Sequence, residues 1–444
     1  MNNSEVKKNL KHNFIVNILD GGFFGFALGF TSFGTILPLF VSNLTESAVL
    51  IGLIPAIHNV GWQFPQLFTA RWIARMRKLK GWILLLTIQE RLPFLFLALV
   101  AWFLYSSHPT LALVFTFLLL IWQGLGGGVT ANIWQILMGR IIPGKFRGRF
   151  FGFQSAAANL LSSVGAVAAG IILEKLESPL DFTILFSLTT LWMVFSWYFL
   201  SLTREPDVPV EINNPISESL GTKIRMALHK EPSFSWFLLY RMLYQFGSMS
   251  SAFFMVYAVK KLGVSEAIAG ILTSVLLITA VVANPILGWL ADHWKKNGIL
   301  VLGAIASGVG AFIAWLAPNG NWFFLVVFLQ GIANVSYWTI GMTMTLEYGS
   351  EEDRPTYVGL SNTMVAPATI IAPLIGGLLA DASGYRVTFL AVSYTHLRAH
   401  ETVLDLVCRL LLEKKNIMKS HKQKLFLLQQ HNRSTPHYMK HNKD

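Results

Sequence analysis

The sequence predicts an all-α integral membrane protein built as two six-helix bundles related by pseudo-two-fold symmetry, with the twelfth helix truncated or replaced. Three observations carry this. Hydrophobic residues make up 53% of the 444 residues and charged residues 13%, with a mean hydropathy of +0.52, too apolar for a chain that hides its apolar surface inside. Apolar runs of about twenty residues recur, each long enough for a hydrocarbon core of roughly 30 Å. The chain also repeats itself at an offset of 207 residues: Pro143-Gly-Lys-Phe-Arg-Gly-Arg-Phe-Phe-Gly152 returns as Ser350-Glu-Glu-Asp-Arg-Pro-Thr-Tyr-Val-Gly359. In that register Arg147 falls on Arg354, Gly152 on Gly359, Gly170 on Gly377, Glu174 on Asp381 and Phe182 on Phe389, while Gln123-Gly124 falls on Gln330-Gly331. Loop arginines and helix-boundary glycines are where a duplicated membrane unit keeps its identity.

Taken in order, residues 1–12 are polar, carry Lys7, Lys8 and Lys11 and precede no small-residue cleavage site, so the first span is expected to be an uncleaved anchor. Spans are expected at about 14–41, 49–72, 81–105, 109–139, 150–173, 181–202, 234–259, 266–290, 298–317, 321–346 and 356–380, with a twelfth from near Arg386. Residues 203–233 break the apolar pattern with Arg204-Glu-Pro-Asp-Val-Pro and read as a polar linker between halves 1–202 and 234–392. Alternate connecting segments, beginning with residues 1–13, hold nineteen lysines and arginines; the intervening ones hold Lys175, Lys260, Lys261 and Arg386. This asymmetry predicts a cytoplasmic N-terminus in a multi-pass protein of the plasma membrane.

The net charge of +12 sits in these short clusters, which fits membrane loops rather than nucleic-acid binding. The single cysteine, Cys408, and the scattered histidines offer no disulfide and no metal-ligand spacing. From about residue 393 the pattern fails. Arg398, His400, Glu401, Asp405 and Arg409 fall where a twelfth span is due, and charges there are costly in lipid. The run from Ser393 to Lys415 resembles read-through sequence at the ends of unrelated translations, so residues 393–444 are expected to be foreign. A cytoplasmic amphipathic helix is the other reading.

The stretch Gly288-Trp-Leu-Ala-Asp-His-Trp-Lys-Lys296 is similar to the loop motif of the major facilitator superfamily of secondary transporters, and the two halves with their linker resemble that family over roughly residues 14–392. Its first-half counterpart, Arg71-Trp-Ile-Ala-Arg-Met-Arg-Lys-Leu-Lys80, has Arg75 where the motif's Asp belongs and Arg71 where the Gly belongs. The resemblance implies a cytoplasmic gate in which loop carboxylates pair with helix ends. Here that set comprises Asp292, Glu347 and Arg354 in the second half, facing Arg75, Arg140 and Arg147 in the first, where no carboxylate is evident. Anionic lipid head groups or plain positive-inside bias account for that excess.

The resemblance also implies that the first, fourth, seventh and tenth spans line a central path. The first carries Asn13, Asn17, Asp20, Phe24, Thr31 and Thr35 on one face, and the seventh carries Phe237, Arg241, Tyr244, Ser248, Ser251 and Met255. Asp20 and Arg241 lie at similar depth and are expected to pair across the halves, or else to hold a local partner each. Glu90 and Arg91 lie near mid-membrane, point about 100° apart and are expected to pair with other helices. Asp20 or Glu90 reads as a proton-coupling carboxylate or as part of a permanent ion pair. Gln123, Asn132 and Trp134 on the fourth span, and Gln330, Asn334, Tyr337 and Trp338 on the tenth, suit an uncharged or amphipathic solute. The expected function is proton-coupled secondary transport of a small organic solute by a monomer, without cofactor or enzymatic activity, with efflux preferred to uptake. A lipid-moving or sensing protein on the same scaffold is the alternative.

Overall fold

The computed structural model describes residues 3–74, 76–206, 228–229, 231–293, 296–345, 348 and 354–396, and all regular elements among them are helical. Backbone amides in lipid have no water to bond, so each apolar run closes its own hydrogen bonds as a helix. The spans, numbered in chain order, are span 1 (Asn3–Phe30 and Ile36–Leu44), span 2 (Ala48–Ala74), span 3 (Lys80–Leu86 and Ile88–Leu104), span 4 (Pro109–Ile141), span 5 (Gly144–Lys175) and span 6 (Leu180–Ser201). Span 7 comprises Pro232–Gly247, a 3-10 turn at Ser248–Ser250 and Phe253–Leu262; then come span 8 (Glu266–His293) and span 9 (Lys296–Leu316). Span 10 joins Trp322–Val335 to Gly341–Thr345 through a π turn at Ser336–Ile340, span 11 is Arg354–Ser383, and span 12 covers residues 385–396.

Among the described residues nine helices are long and apolar enough to cross a membrane. The others are span 2, which carries His58, Asn59 and Gln63, the broken span 7, and span 12, described for one short stretch. Two expectations need correction. Span 1 is interrupted at residues 31–35, where Ser32 Oγ accepts from Gly34 N at 3.3 Å and the threonine hydroxyls turn to other spans. The basic loop from Pro143 is already helical from Gly144, so its arginines decorate the first turns of span 5. Span 12 is helical to His396, with Ser393 and His396 buried and His396 Nε2 2.9 Å from Ser307 Oγ. Residues 397–444, with Cys408 and the charged run, lie outside the described residues.

Packing follows the repeat. Span 1 packs on span 5 and span 7 on span 11; span 2 packs on span 4 and span 8 on span 10; spans 3 and 9 pack on spans 4 and 10. The two crossings between halves, span 5 on span 8 and span 11 on span 2, exchange under the same relation. Of the repeat-matched glycines, Gly170 and Gly377 sit at these crossings. A Cβ on Gly170 would come within 2.7 Å of the Glu266 carbonyl, and one on Gly377 within 2.4 Å of Val49 Cα. No larger residue allows such backbone approach.

The N-terminus and the start of the linker share one end of the bundle. Asn13 Nδ2 donates to the Arg204 carbonyl at 2.8 Å, the Arg204 amide returns to Asn13 Oδ1 at 2.9 Å, and His12 Nε2 meets the Leu202 carbonyl at 2.9 Å. At the far end the halves close on one another. Asp381, ending span 11, accepts from the amides of Ala48 and Val49 at 2.6 and 3.4 Å and from Ser47 Oγ at 3.4 Å, capping span 2 from the opposite half. Thr35 meets Thr273 at 2.6 Å, and Lys260 donates to Asn43.

Candidate functional site: two adjoining cavities

A central cavity of about 490 Å³ lies between the halves. Its wall includes four of the residues expected on span 10, Gln330, Asn334, Tyr337 and Trp338, and Tyr244 of span 7. Tyr244 and Tyr337 stack at 4.2 Å, Gln245 Nε2 donates to the Tyr337 hydroxyl at 2.8 Å, and Gln330 exchanges hydrogen bonds with Ser307. The π turn presents Tyr337 and Trp338. It is held where Ser336 Oγ donates to the Ile299 carbonyl at 2.7 Å, against Gly303, on which a Cβ would collide with Ser336. Among the described residues lining this cavity none carries a formal charge; hydroxyls, amides and rings make its surface.

A second cavity of about 410 Å³ lies within the first six spans, towards the linker end, and shares Phe24 and Ala158 with the central one. Asp20, Glu90, Arg91 and Trp134, all singled out in the sequence, line it together with Trp62, Phe151 and Gln154. Arg91 organises the site. Its Nη2 lies 3.8 Å from Asp20 Oδ1, its Nη1 lies 3.8 Å from Glu90 Oε2, and its guanidinium stands 5.4 Å from the Phe24 ring centroid. It donates to Ser196 Oγ at 2.9 Å, to the Met193 carbonyl at 3.3 Å, and to the hydroxyl and carbonyl of Thr87, the residue that breaks span 3. Ser196 in turn donates to Asp20 Oδ1 at 2.6 Å. Two carboxylates thus share one guanidinium in an apolar setting, and such a cluster holds only if its members are mutually satisfied.

The cluster chooses between the two readings of Asp20 and revises part of the expectation for Glu90 and Arg91. Asp20 does not meet Arg241: its partners are in its own half, while Arg241 donates to Ser361 Oγ at 3.0 Å and Asn362 Oδ1 at 3.4 Å and stands 5.3 Å from the Tyr337 ring centroid. Arg91 does pair with other helices, with Asp20 of span 1 and Ser196 of span 6, but it also reaches Glu90, its long side chain folding back across the 100° between them. Two further residues have structural contacts instead of lining either cavity. Asn17 donates to the Asn13 carbonyl and to Thr203 Oγ1, and Gln123 Oε1 lies 3.1 Å from His58 Nδ1. The Asn132 side chain lies outside what the structure describes.

Of the expected gate residues, Arg75 and Glu347 lie outside the described residues, as do the side chains of Arg147, Asp292 and Arg354. Arg140 is described, and the carboxylate not evident in the sequence is beside it. Glu205, two residues into the linker, lies 3.3 Å from Arg140 Nη1 and accepts from the amides of Leu79 and Lys80 at 2.8–2.9 Å, capping span 3. The Arg140 guanidinium also donates to the carbonyls of Met76 and Arg77. Arg140 is therefore held by the linker.

Among the described residues, nine helices long and apolar enough to cross a membrane, two pseudo-equivalent halves and buried charge beside a cavity fit a multi-pass membrane protein of the transporter type. The sequence matches the Major Facilitator Superfamily over residues 19–260 and 237–399, and the chain belongs to that family. That membership puts it among membrane transporters and not among enzymes. It is 28% identical over 155 residues to the multi-drug resistance efflux pump PmrA of Streptococcus pneumoniae, covering 34% of this chain and 39% of the relative. It is likewise 28% identical over 141 residues to a Na(+), Li(+), K(+)/H(+) antiporter of Planococcus maritimus, covering 30% and 33%. These alignments span about two fifths or less of the curated relatives' lengths. In fold it is similar to a POT family transporter crystallised with a thioalcohol-conjugated peptide, with TM-score 0.71 and 13% identity, covering 90% of this chain and 96% of the other. A D-xylose-proton symporter gives TM-score 0.66 and 16% identity, covering 86% and 96%.

Proposed function

We propose that the protein is a proton-coupled secondary transporter that moves a small organic solute through the central cavity by alternating access. The observation that carries this reading is the Asp20–Arg91–Glu90 cluster, 3.8 Å on each side, in a cavity that shares a wall with the uncharged space between the halves. One proton taken up by the cluster neutralises it, and one released restores its charge, so the conformation that welcomes the proton changes with occupancy. Halves 1–202 and 234–392 are the rocking bodies and residues 203–233 their tether. With the N-terminus in the cytoplasm of a cell whose plasma membrane the protein crosses, closure at the far end makes this the inward-facing state. Arg75, Arg140, Arg147, Asp292, Glu347 and Arg354 then close the opposite end when the halves rock back, in a monomer. The similarity to an efflux pump and to a proton antiporter supports export as the direction.

The test is solute flux in liposomes under an imposed pH gradient, comparing the chain with Asp20→Asn and Glu90→Gln. Flux that follows the gradient, and is uncoupled by one substitution, supports the reading. Gradient-independent movement of lipid between leaflets replaces it with the lipid-moving alternative.

A further inference from the structure

The end of the bundle away from the linker is poor in positive charge: its connecting segments and helix ends carry Lys175, Lys260, Lys261 and Arg386 and no other lysine or arginine. Three of these four converge. Lys260, Lys261 and Arg386 line one cleft of about 690 Å³ that crosses the seam between the halves, with Glu46 and Ile51 on its first-half wall and Asp381 on the other. The two lysines lie in the last turn of Phe253–Leu262, where positive charge suits the helix dipole. That accounts neither for Arg386, which comes from span 12, nor for the convergence.

The cleft's own carboxylates do not answer these charges. Asp381 is taken up by the amides of Ala48 and Val49, which leaves Glu46. Among the described residues no carboxylate oxygen lies within 4.0 Å of any of the three cations. Lys260 donates to Asn43. Arg386 is anchored through Nε on the Trp315 carbonyl at 2.9 Å, and among the described residues its terminal nitrogens and the Lys261 ammonium make no hydrogen bond. Ile51, Val256 and Tyr257 also line the cleft and are themselves buried, so its basic rim stands over an apolar floor.

We propose that this cleft binds an organic phosphate, with the phosphate oxygens between Lys261 and Arg386 and the apolar body on Tyr257, Val256 and Ile51. A guanidinium fork beside an ammonium suits a phosphate, which takes paired hydrogen bonds from one and a point charge from the other. A cleft with one sign of charge in excess gathers the opposite ion and repels its own, which disfavours a cation. Inorganic phosphate alone fills little of the volume and leaves the floor bare. An anionic phospholipid headgroup and a water-soluble phosphate ester share the required chemistry.

The experiment is calorimetric titration of the detergent-solubilised full chain at a fixed ionic strength of about 0.1 M, without a gradient, so that it is independent of flux. Phenyl phosphate represents the soluble source and dihexanoylphosphatidylglycerol the lipid. Dihexanoylphosphatidylcholine, with the same chains and a phosphate but no net charge, is the control. At least one of the two anions is expected to bind saturably, and the tighter one identifies the source. Lys261→Gln and Arg386→Gln are each expected to weaken that binding at least about tenfold, and Glu46→Gln to strengthen it about two- to fivefold. Lys175→Gln makes the same change of charge at the same end but outside the cleft, and it is expected to leave binding unchanged. Lys261 sits at an exposed helix end, so its variant keeps the test sound if Arg386→Gln fails to fold. Saturable binding by neither anion, equal binding of the phosphatidylcholine, unchanged binding by Lys261→Gln, or an equal loss in Lys175→Gln overturns the proposal.

Discussion

Glu205 and Arg140 lie 3.3 Å apart at the linker end, and the same carboxylate caps the first turn of span 3. A linker residue thereby ties the end of span 4 to the start of span 3. Glu205→Ala removes the cap and strands a mostly buried arginine, and it should destabilise the protein by about 2–4 kcal/mol. Glu205→Gln keeps one acceptor oxygen and should fall between. Thermal unfolding in detergent orders the three; equal Tm values for all three refute the assignment.

At Arg91 the expected effect is coupling. Arg91→Gln leaves two carboxylates facing each other and should cost about 3–5 kcal/mol. Adding Asp20→Asn removes one of them, so the double variant should recover stability, with an interaction energy of about 1–3 kcal/mol. A double-mutant cycle on unfolding midpoints measures this, and simple additivity would contradict the shared guanidinium.

Asp381 holds the far end shut through two backbone amides and a hydroxyl of the other half. Asp381→Asn weakens these charge-assisted bonds by about 1–2 kcal/mol, a shift of roughly 5–30-fold toward a state open at that end. Spin labels at Thr45 and Ser383, with Cys408 replaced, should report a new, longer distance population. An unchanged distribution means that the latch is dispensable.

Gly270→Ala tests the symmetry-related crossing. Its Cβ would stand 2.5 Å from the Ala166 carbonyl, a backbone atom with little room to yield. Overpacking of about 1–3 kcal/mol should shift the same label pair in the same direction, and combining it with Asp381→Asn should enlarge the shift. A narrowed distance in Gly270→Ala excludes this geometry.

The spans and the repeat were legible because the bilayer imposes length and apolarity on every crossing, and because Gly170 and Gly377 occupy equivalent crossings. That Asp20, Glu90, Arg91 and Trp134 gather in one cavity was only half legible: polarity in an apolar helix announces burial but not a partner. Helical spacing placed Asp20 opposite Arg241 by depth alone, whereas Ser196, an unremarked serine of span 6, decided its neighbour. The fold-back of Arg91 onto Glu90 escaped an argument made from Cα directions, because four side-chain torsions can reverse it. Glu205 hid in a linker read as a tether, although it follows Leu202, the residue that ends span 6, by only three positions.

Phe24 belongs to both cavities, with Arg91 over one face. The partition between the charged compartment and the neutral one therefore runs through a benzene ring, beside the methyl group of Ala158. A guanidinium that gains or loses a carboxylate partner tightens or relaxes its hold on that ring, and whatever leans on the opposite face senses the change directly. The two compartments are thus separated at this point by no more than the thickness of one aromatic side chain.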